Sequence, residues 1–249
     1  MSKIKIVAVS YLNTKPLLFG LQNSSLWQHI DLQLQMPSVC AEKLLSGEVE
    51  IGLVPVAIIP QLATPHLFSD YCIGAEGKVR TVCIYSNVPL EKISKLYLDY
   101  QSKTSIELVK ILLDKHWKCA PQLLPASKGF EEKIIGDTAA LIIGDRTMEL
   151  EHQFPYIYDL AEAWKSFTGL PFVFAAWVSN RPLPDELAAQ FNAAFAWGIR
   201  HIPQLLPMLD TPISNFNLEE YFTKNISYHL TVEKQKALNL FLSYLSERN

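Results

Sequence analysis

The stretch KIKIVAVSYLNTKPLL, residues 3–18, indicates the class of fold. Its apolar part, IKIVAVS, is nearly continuous and rich in β-branched residues, which is typical of a parallel strand covered on both faces. Pro16 suits the first turn of a helix, and Lys15 before it is biased away from helix. The sequence therefore predicts a strand, a loop over residues 11–14 at its carboxyl end, and a helix from Pro16.

The alternation of strand and helix continues along the chain. DLQLQMP (31–37) alternates like a strand, Ser38 is placed to cap the helix VCAEKLLSGE, and IGLVPVAII (51–59) is another buried run. Further strands and helices follow up to about residue 201, and VEKQKALNLFLSYL predicts a closing amphipathic helix. This order predicts an α/β protein, with the first 60 residues reading β-α-β-α-β.

Composition and charge argue against several functional classes. Of 249 residues, 49% are hydrophobic and 19% are charged, which is a normal globular profile. The net charge of −3 leaves no basic excess for nucleic acid, so no nucleic-acid partner is expected. No window approaches the ~18 apolar residues that a membrane span needs, so no membrane partner is expected either.

The N-terminus and the cysteines favour a cytoplasmic location. MSKIKIVAVSYLN has no small-residue cleavage site, and we interpret it as a first strand rather than a signal peptide. The cysteines are scattered without a CxxC pair and are expected to be reduced structural thiols. The set is Cys40, Cys72, Cys83 and Cys119.

Motifs for metal or nucleotide chemistry are missing. The six histidines are widely separated, and no spacing suggests a metal site. There is no GxSxG, no P-loop and no GxGxxG after the first strand. The pairs Glu131–Glu132 and Glu219–Glu220 are adjacent in sequence, and neighbouring helical side chains do not share a site. We interpret these carboxylates as solvated helix faces.

Three loops that follow strands and precede helices carry hydrogen-bond donors: SYLNT, DYQSKTS and GDRT. In open α/β sheets, ligands bind outside the carboxyl ends of strands, where helix N-termini present free N–H groups. Each loop alone is explained as a helix cap, and Thr104 with Glu107 matches a capping box. Asp145 is either such a cap or a cleft residue. The three loops together favour a cleft for a small organic anion.

Several motifs, in order, resemble one family. They are SYLNTKPL, PSVCAEKLLSGEVEIGLVPVAII, LDYQSKTSIELVKILL, LIIGDR and TGLPFVFAAW, and they span roughly residues 3–180. This combination resembles the MqnA family, the chorismate dehydratases of the futalosine route to menaquinone. The resemblance implies a two-lobed fold like that of type II periplasmic binding proteins, with the ligand cleft between the lobes. We expect residues 1–86 with 178–249 in lobe 1 and residues 87–177 in lobe 2.

The activity implied is loss of water from chorismate, a dicarboxylate, to give 3-[(1-carboxyvinyl)oxy]benzoate, a lyase reaction without metal or organic cofactor. By resemblance, Asn13 orients the substrate or its leaving hydroxyl, while a carboxylate of the substrate takes the proton. The resemblance gives the other site residues substrate-binding roles, although capping is sufficient reason for Ser38. They are Ser10, Tyr11, Ser38, Thr81, Ser102, Thr104, Ser105, Gly144 and Asp145.

Two positions depart from the family pattern. Thr81 stands where the family often has serine, which keeps the hydroxyl and adds a methyl group. Lys103 replaces an arginine and is expected to face solvent.

Two alternative functions stay open. One is the sister enzyme with the same fold, 1,4-dihydroxy-6-naphthoate synthase, and the other is a non-catalytic protein that binds a small carboxylate.

Overall fold

A computed structural model describes residues 3–209 and 216–248 of the chain. Its strands are β1 (Ile4–Val9), β2 (Ile30–Gln35), β3 (Ile51–Pro55), β4 (His66–Ala75), β5 (Val82–Ser86), β6 (Lys95–Leu98), β7 (Gln122–Pro125), β8 (Thr138–Ile143), β9 (Tyr156–Asp159), β10 (Phe172–Ser179) and β11 (Ser227–His229). Its α-helices are α1 (Lys15–Gln22), α2 (Pro37–Leu45), α3 (Thr104–Ile111), α4 (Leu160–Thr168), α5 (Asp185–Arg200), α6 (Ile202–Leu205), α7 (Leu218–Glu220) and α8 (Val232–Ser246). Short 3-10 segments include Leu12–Thr14, Val56–Gln61 and Asp145–Glu149, and Leu112–Trp117 and Tyr221–Asn225 are π-helical.

The first sheet has the strand order β11-β4-β10-β3-β1-β2. β1 is parallel to β2 and β3, which confirms the predicted β-α-β-α-β beginning. β10 is antiparallel to both β3 and β4, so the sheet is mixed. β3 and β10 are buried along their whole length because other elements cover both faces of the sheet.

The second sheet has the order β7-β6-β8-β5-β9. β6 is parallel to β7 and β8, whereas β5 is antiparallel to β8 and β9. The chain passes from the first sheet to the second through residues 76–81 and returns through α4 into β10. Both passages lie close to the point where the sheets meet.

The proposed lobe boundaries, 1–86 with 178–249 against 87–177, remain a prediction about domains. The sheets divide the chain at different places. β5 was expected in lobe 1, but it pairs with β8 and β9. Residues 172–177 were expected in lobe 2, but they pair with β3 and β4. If the lobes are divided by strand pairing, the two boundaries between them lie within residues 76–81 and 160–171.

Two predicted caps are wrong. α2 begins at Pro37, so Ser38 lies inside the first turn, and its backbone N–H donates to Gln101 O at 3.1 Å. α3 begins at Thr104, whose hydroxyl donates to the carbonyl of Phe174 instead of capping the helix. For Thr104, a contact with the opposite sheet takes the hydroxyl that a local cap would use. For Ser38, the start of the helix at Pro37 places the residue too far along the first turn to cap it.

The closing helix is confirmed as α8, which buries Leu238, Phe241 and Leu245. Its Lys234 is fully buried and donates to the carbonyls of Ser227 and His229, at 2.9 and 2.7 Å. Because these bonds satisfy the ammonium group, α8 holds β11 at the edge of the first sheet. Among the helices of the described residues, none is long and apolar enough to cross a bilayer.

Candidate functional site

A cavity of about 50 Å³ lies where the two sheets face each other. This volume is below the ~300–1,000 Å³ typical of small-molecule sites, so the two sides of the site lie close together in this conformation. The walls come from the ends of β1, β3, β8 and β10, from the passage between β4 and β5, and from the starts of α2 and α3. The first sheet and the second sheet therefore each supply one side of the site.

The structure brings most of the sequence-predicted site residues to this cavity. Those that line it are Tyr11, Asn13, Thr81, Ser102, Thr104, Ser105 and Gly144. Ser10, Ser38 and Asp145 do not line it. Ser10 is exposed and lies one residue after the end of β1. Lys103 is exposed, as predicted.

The wall of the cavity is mostly apolar, and its polar groups are uncharged. Among the described residues, none of its lining side chains is a lysine, arginine, histidine or carboxylate. The nearby Arg146 is neutralised, since it forms ion pairs with the fully buried Asp99 and, at 2.6 Å, with Glu131. Asp99 also accepts the N–H groups of Gln101 and Ile143, at 3.0 and 2.9 Å. An anion in the cavity would depend on hydroxyls, an amide and helix N-termini.

The starts of α2 and α3 both reach the cavity, with Pro37 on one side and Thr104 and Ser105 on the other. Pro37 has no N–H and the N–H of Ser38 donates to Gln101 O, so α2 contributes the positive end of its dipole rather than an N–H from either residue. The first N–H groups of a helix have no intrahelical partner, and the helix dipole favours negative charge there. In α3 the hydroxyl oxygen of Ser102 accepts the N–H of Ser105 at 3.0 Å. That bond fixes the loop so that the helix begins at the cavity wall.

Asn13 is half-buried and its position is fixed by the backbone. Its carbonyl accepts the hydroxyl of Tyr228 at 2.9 Å, which ties the loop after β1 to β11. Its Oδ1 accepts the hydroxyl of Thr14 at 3.2 Å. The amide also lies near the hydroxyl of Tyr221, where it lowers the pKa of that phenol. The amide is thus presented to the cavity by contacts from two separate parts of the chain.

Tyr11 is wedged between the sheets. Its hydroxyl donates to the side-chain oxygen of Gln101, and its ring lies against Gly144. A Cβ at Gly144 would be 2.5 Å from the Tyr11 ring, and the φ of Gly144 is +78°. Only glycine fits there without displacement. Burial raises the pKa of Tyr11 above its ordinary value, so the phenol keeps its proton.

Asp145, which follows β8 of the second sheet, holds the loop after β1. Both of its oxygens accept the backbone N–H of Leu12, at 3.0 and 3.1 Å. Burial raises the pKa of Asp145 to about 6, although the bond from Leu12 lowers it in part. Of the two roles considered from sequence, Asp145 is not the cap of the helix that follows it. It is a cleft residue that does not line the cavity but forms a contact across the cleft.

Thr104 uses its hydroxyl within the protein. It donates to Phe174 O at 3.0 Å and accepts the N–H of Ala57 at 3.2 Å. These partners belong to β10 and to the 3-10 segment after β3, both on the side of the first sheet. Thr104 lines the cavity but mainly fastens α3 across it.

A sequence profile described as menaquinone biosynthesis matches residues 4–247. The chain belongs to this family. A protein of Thermus thermophilus named chorismate dehydratase is 26% identical over 231 residues, which cover 84% of each chain. A second protein named chorismate dehydratase, from Campylobacter jejuni, is 23% identical over 218 residues, which cover 80% of this chain and 96% of that protein.

Solved structures support the fold. A protein of Archaeoglobus fulgidus superposes with a TM-score of 0.77 at 12% identity, covering 99% of this chain and 97% of that one. A Candida albicans protein with the generic periplasmic binding protein fold gives a TM-score of 0.58 at 12% identity, covering 97% and 90%. The chain therefore has the fold of periplasmic binding proteins, which was predicted.

Sequence reasoning missed several residues that shape the site of this menaquinone biosynthesis protein. Gln101 stands inside the loop DYQSKTS, so the motif that located the loop could also have indicated it. Tyr221 and Tyr228 come from the C-terminal part, where no local pattern links them to Asn13. Among the described residues, no three His, Cys, Asp or Glu side chains are grouped as a metal site.

Proposed function

We propose that this chain is a chorismate dehydratase, a lyase that removes water from chorismate to give 3-[(1-carboxyvinyl)oxy]benzoate in the futalosine route to menaquinone. The observation that carries the proposal is the uncharged cavity, which is lined by Asn13, by several hydroxyls and by the starts of two helices. Membership of the menaquinone biosynthesis family and the names of the two relatives support it. Chorismate is a small dicarboxylate that such donors suit.

The chemistry needs little from a protein base. A ring C–H bond beside the carboxylated double bond breaks, and its electron pair moves into the ring. The hydroxyl on the adjacent carbon leaves with the C–O electrons, and one water forms as the ring becomes aromatic. In the proposed mechanism a carboxylate of the substrate takes the proton. The absence of charged side chains from the described wall is compatible with that mechanism.

The protein contributes position and hydrogen bonds. In the proposal Asn13 orients the leaving hydroxyl, while Thr81, Ser102 and Ser105 donate to the substrate. Preorganised donors of this kind stabilise charge that develops in the transition state. Tyr11, Thr104 and Asp145 act on the shape of the site, because their polar groups bind Gln101, Phe174 and Leu12.

The cytoplasm is the compartment in which we propose this reaction occurs. Cys40, Cys72 and Cys83 are buried free thiols and Cys119 is a half-buried one, which suits a reducing compartment. Chorismate is the small-molecule partner in this proposal.

The test is incubation of the purified protein with chorismate, followed by mass and ultraviolet spectra. The proposal expects loss of one water and the spectrum of a substituted benzoate. Tight binding of chorismate without loss of water would favour a carboxylate-binding protein and overturn the enzymatic assignment. The absence of both binding and turnover would overturn the proposal as a whole. The sister synthase has less support, since no histidine is among the described lining residues.

A further inference from the structure

The hydroxyl of Thr81 has two neighbours inside the protein. Tyr221 Oη lies 2.9 Å away, and the carbonyl oxygen of Val79 lies 3.5 Å away, at the limit of a hydrogen bond. Thr81 is 1% exposed, and its side chain lines the cavity. A hydroxyl has one proton to give and can accept two. Which neighbour takes or gives a proton therefore decides whether Thr81 can donate to a ligand.

Tyr221 is fully buried, so its proton needs an acceptor within the protein. Burial raises the pKa of its phenol above the ordinary value, and bonds with Thr81 and Asn13 offset this only in part. The phenol is therefore protonated at neutral pH. Thr81 Oγ1 is its nearest acceptor, and a proton given there leaves the proton of Thr81 for the cavity.

The surroundings of Tyr221 hold this geometry. Its ring packs edge-on against Phe216 at 5.4 Å and beside Phe222 at 5.6 Å. Its backbone N–H donates to Asn217 O at 3.0 Å, and its carbonyl accepts the N–H of Ile226 at 2.9 Å. The hydroxyl is thus the polar end of a ring that packing fixes on all sides.

We propose that Tyr221 is a positioning residue, which gives its hydroxyl proton to Thr81 and so commits the Thr81 hydroxyl to donate into the cavity. The inference rests on the proposed function, which it deepens by adding a residue from the C-terminal part. Tyr221 does not line the cavity and acts through Thr81, with Asn13 close to the same hydroxyl.

The test is a double-mutant cycle on chorismate turnover, with Tyr221→Phe, Thr81→Val and the pair. Loss of one hydrogen bond predicts kcat/KM about tenfold lower for Tyr221→Phe. Because Tyr221 acts through Thr81, the pair should be no worse than Thr81→Val alone. Tyr85→Phe is the matched control, since Tyr85 is also buried and its hydroxyl contacts Thr147 O away from the cavity. Tyr85→Phe should keep wild-type turnover.

Each outcome separates the inference from the function on which it rests. Equal kcat/KM for Tyr221→Phe and wild type, or multiplicative losses in the pair, would overturn the role of Tyr221 while chorismate turnover stands. An inactive wild-type protein would overturn the proposed function, and the inference with it. Thermal melting shows whether each variant is folded. If Tyr221→Phe does not fold, Tyr221→Met provides a second variant without the hydroxyl for the same cycle.

Discussion

At the scale of single residues, the hydroxyls around the cavity divide into two groups. Tyr11 and Thr104 give their protons to Gln101 and to the carbonyl of Phe174, so they hold the protein together. Thr81 and Ser102 accept protein bonds, from Tyr221 in our proposal and from the N–H of Ser105. Accepting such a bond leaves a hydroxyl proton available, and this separates ligand donors from structural ones.

Gly144→Ala should destabilise the protein more than Gly129→Ala. Both glycines have positive φ, +78° and +82°, but a Cβ at Gly129 meets nothing within 4 Å, whereas one at Gly144 meets the Tyr11 ring. Gly129 is in the left-handed helical region, where a side chain costs about 1–2 kcal/mol. Gly144, with ψ of −165°, is in a region that is nearly exclusive to glycine and costs about 1–3 kcal/mol, and displacement of the ring adds to that penalty. Thermal and urea unfolding of both variants measure the difference.

The contribution of the ring is isolated in a Tyr11→Ala background. There Gly144→Ala should cost less than in the wild-type chain, because the colliding ring is gone. The same cost in both backgrounds would contradict the contact between Tyr11 and Gly144. Chorismate turnover should fall with Gly144→Ala in the otherwise wild-type chain, since the loop that carries Asn13 moves with Tyr11.

At the scale of elements, the parts that a local pattern determines were predictable. The strand and helix before residue 60 follow from apolar runs and from Pro16, and they agree with β1 to β3. β4 was missed because HLFSDYCIGA mixes polar and apolar residues. Its pairing with β10 depends on residues that are far away in the sequence. The cap at Thr104 was wrong for the same reason, since a long-range partner took its hydroxyl. The cap at Ser38 was wrong because α2 begins one residue earlier, at Pro37.

Thr104→Val should weaken the attachment of α3 to the first sheet. The substitution keeps the shape and removes the hydroxyl, leaving the buried N–H of Ala57 without its acceptor. An unsatisfied buried group costs about 1–3 kcal/mol, so the free energy of unfolding should fall by that amount. Thr104→Ser keeps the hydroxyl and is the matched control. A stable Thr104→Val protein with a strongly raised KM would instead indicate a direct bond to substrate.

At the scale of the whole molecule, the site exists only because the two sheets are held face to face. Leu12 with Asp145 and Tyr11 with Gln101 cross the gap at one end, and Ser38 donates to the carbonyl of Gln101 beside them. The sequence located the loops involved, since SYLNT, DYQSKTS and GDRT were all singled out. It could not show which residues of one loop bind which residues of another, because that depends on the packing of both sheets.

Asp145→Asn should change the pH dependence of turnover. With a pKa of about 6, Asp145 is ionised at neutral pH, and lowering the pH through 6 removes the charge that strengthens its bond with Leu12. The kcat/KM of the wild-type protein should therefore fall several-fold between pH 7 and 5. Asp145→Asn should have a lower and flatter profile. Identical profiles for the two proteins would contradict this role of the carboxylate.

As the pH falls, protonation of Asp145 should raise the stability of the fold although it lowers turnover. The pKa of Asp145 is raised on folding, so the folded state binds the proton more tightly than the unfolded state. The contribution of Asp145 to the free energy of unfolding therefore increases as the pH falls from about 6 towards 4. The difference in melting temperature between Asp145→Asn and wild type, measured across that range, isolates this contribution.

Turnover and binding of chorismate by Asn13→Ala, side by side with wild type, test the central claim most directly. The account predicts that wild type releases one water per chorismate, and that Asn13→Ala still binds chorismate but turns it over about 100-fold more slowly or worse. Asn23→Ala, at an exposed asparagine just after α1, is the control and should behave as wild type. Full turnover by a folded Asn13→Ala protein would contradict the account.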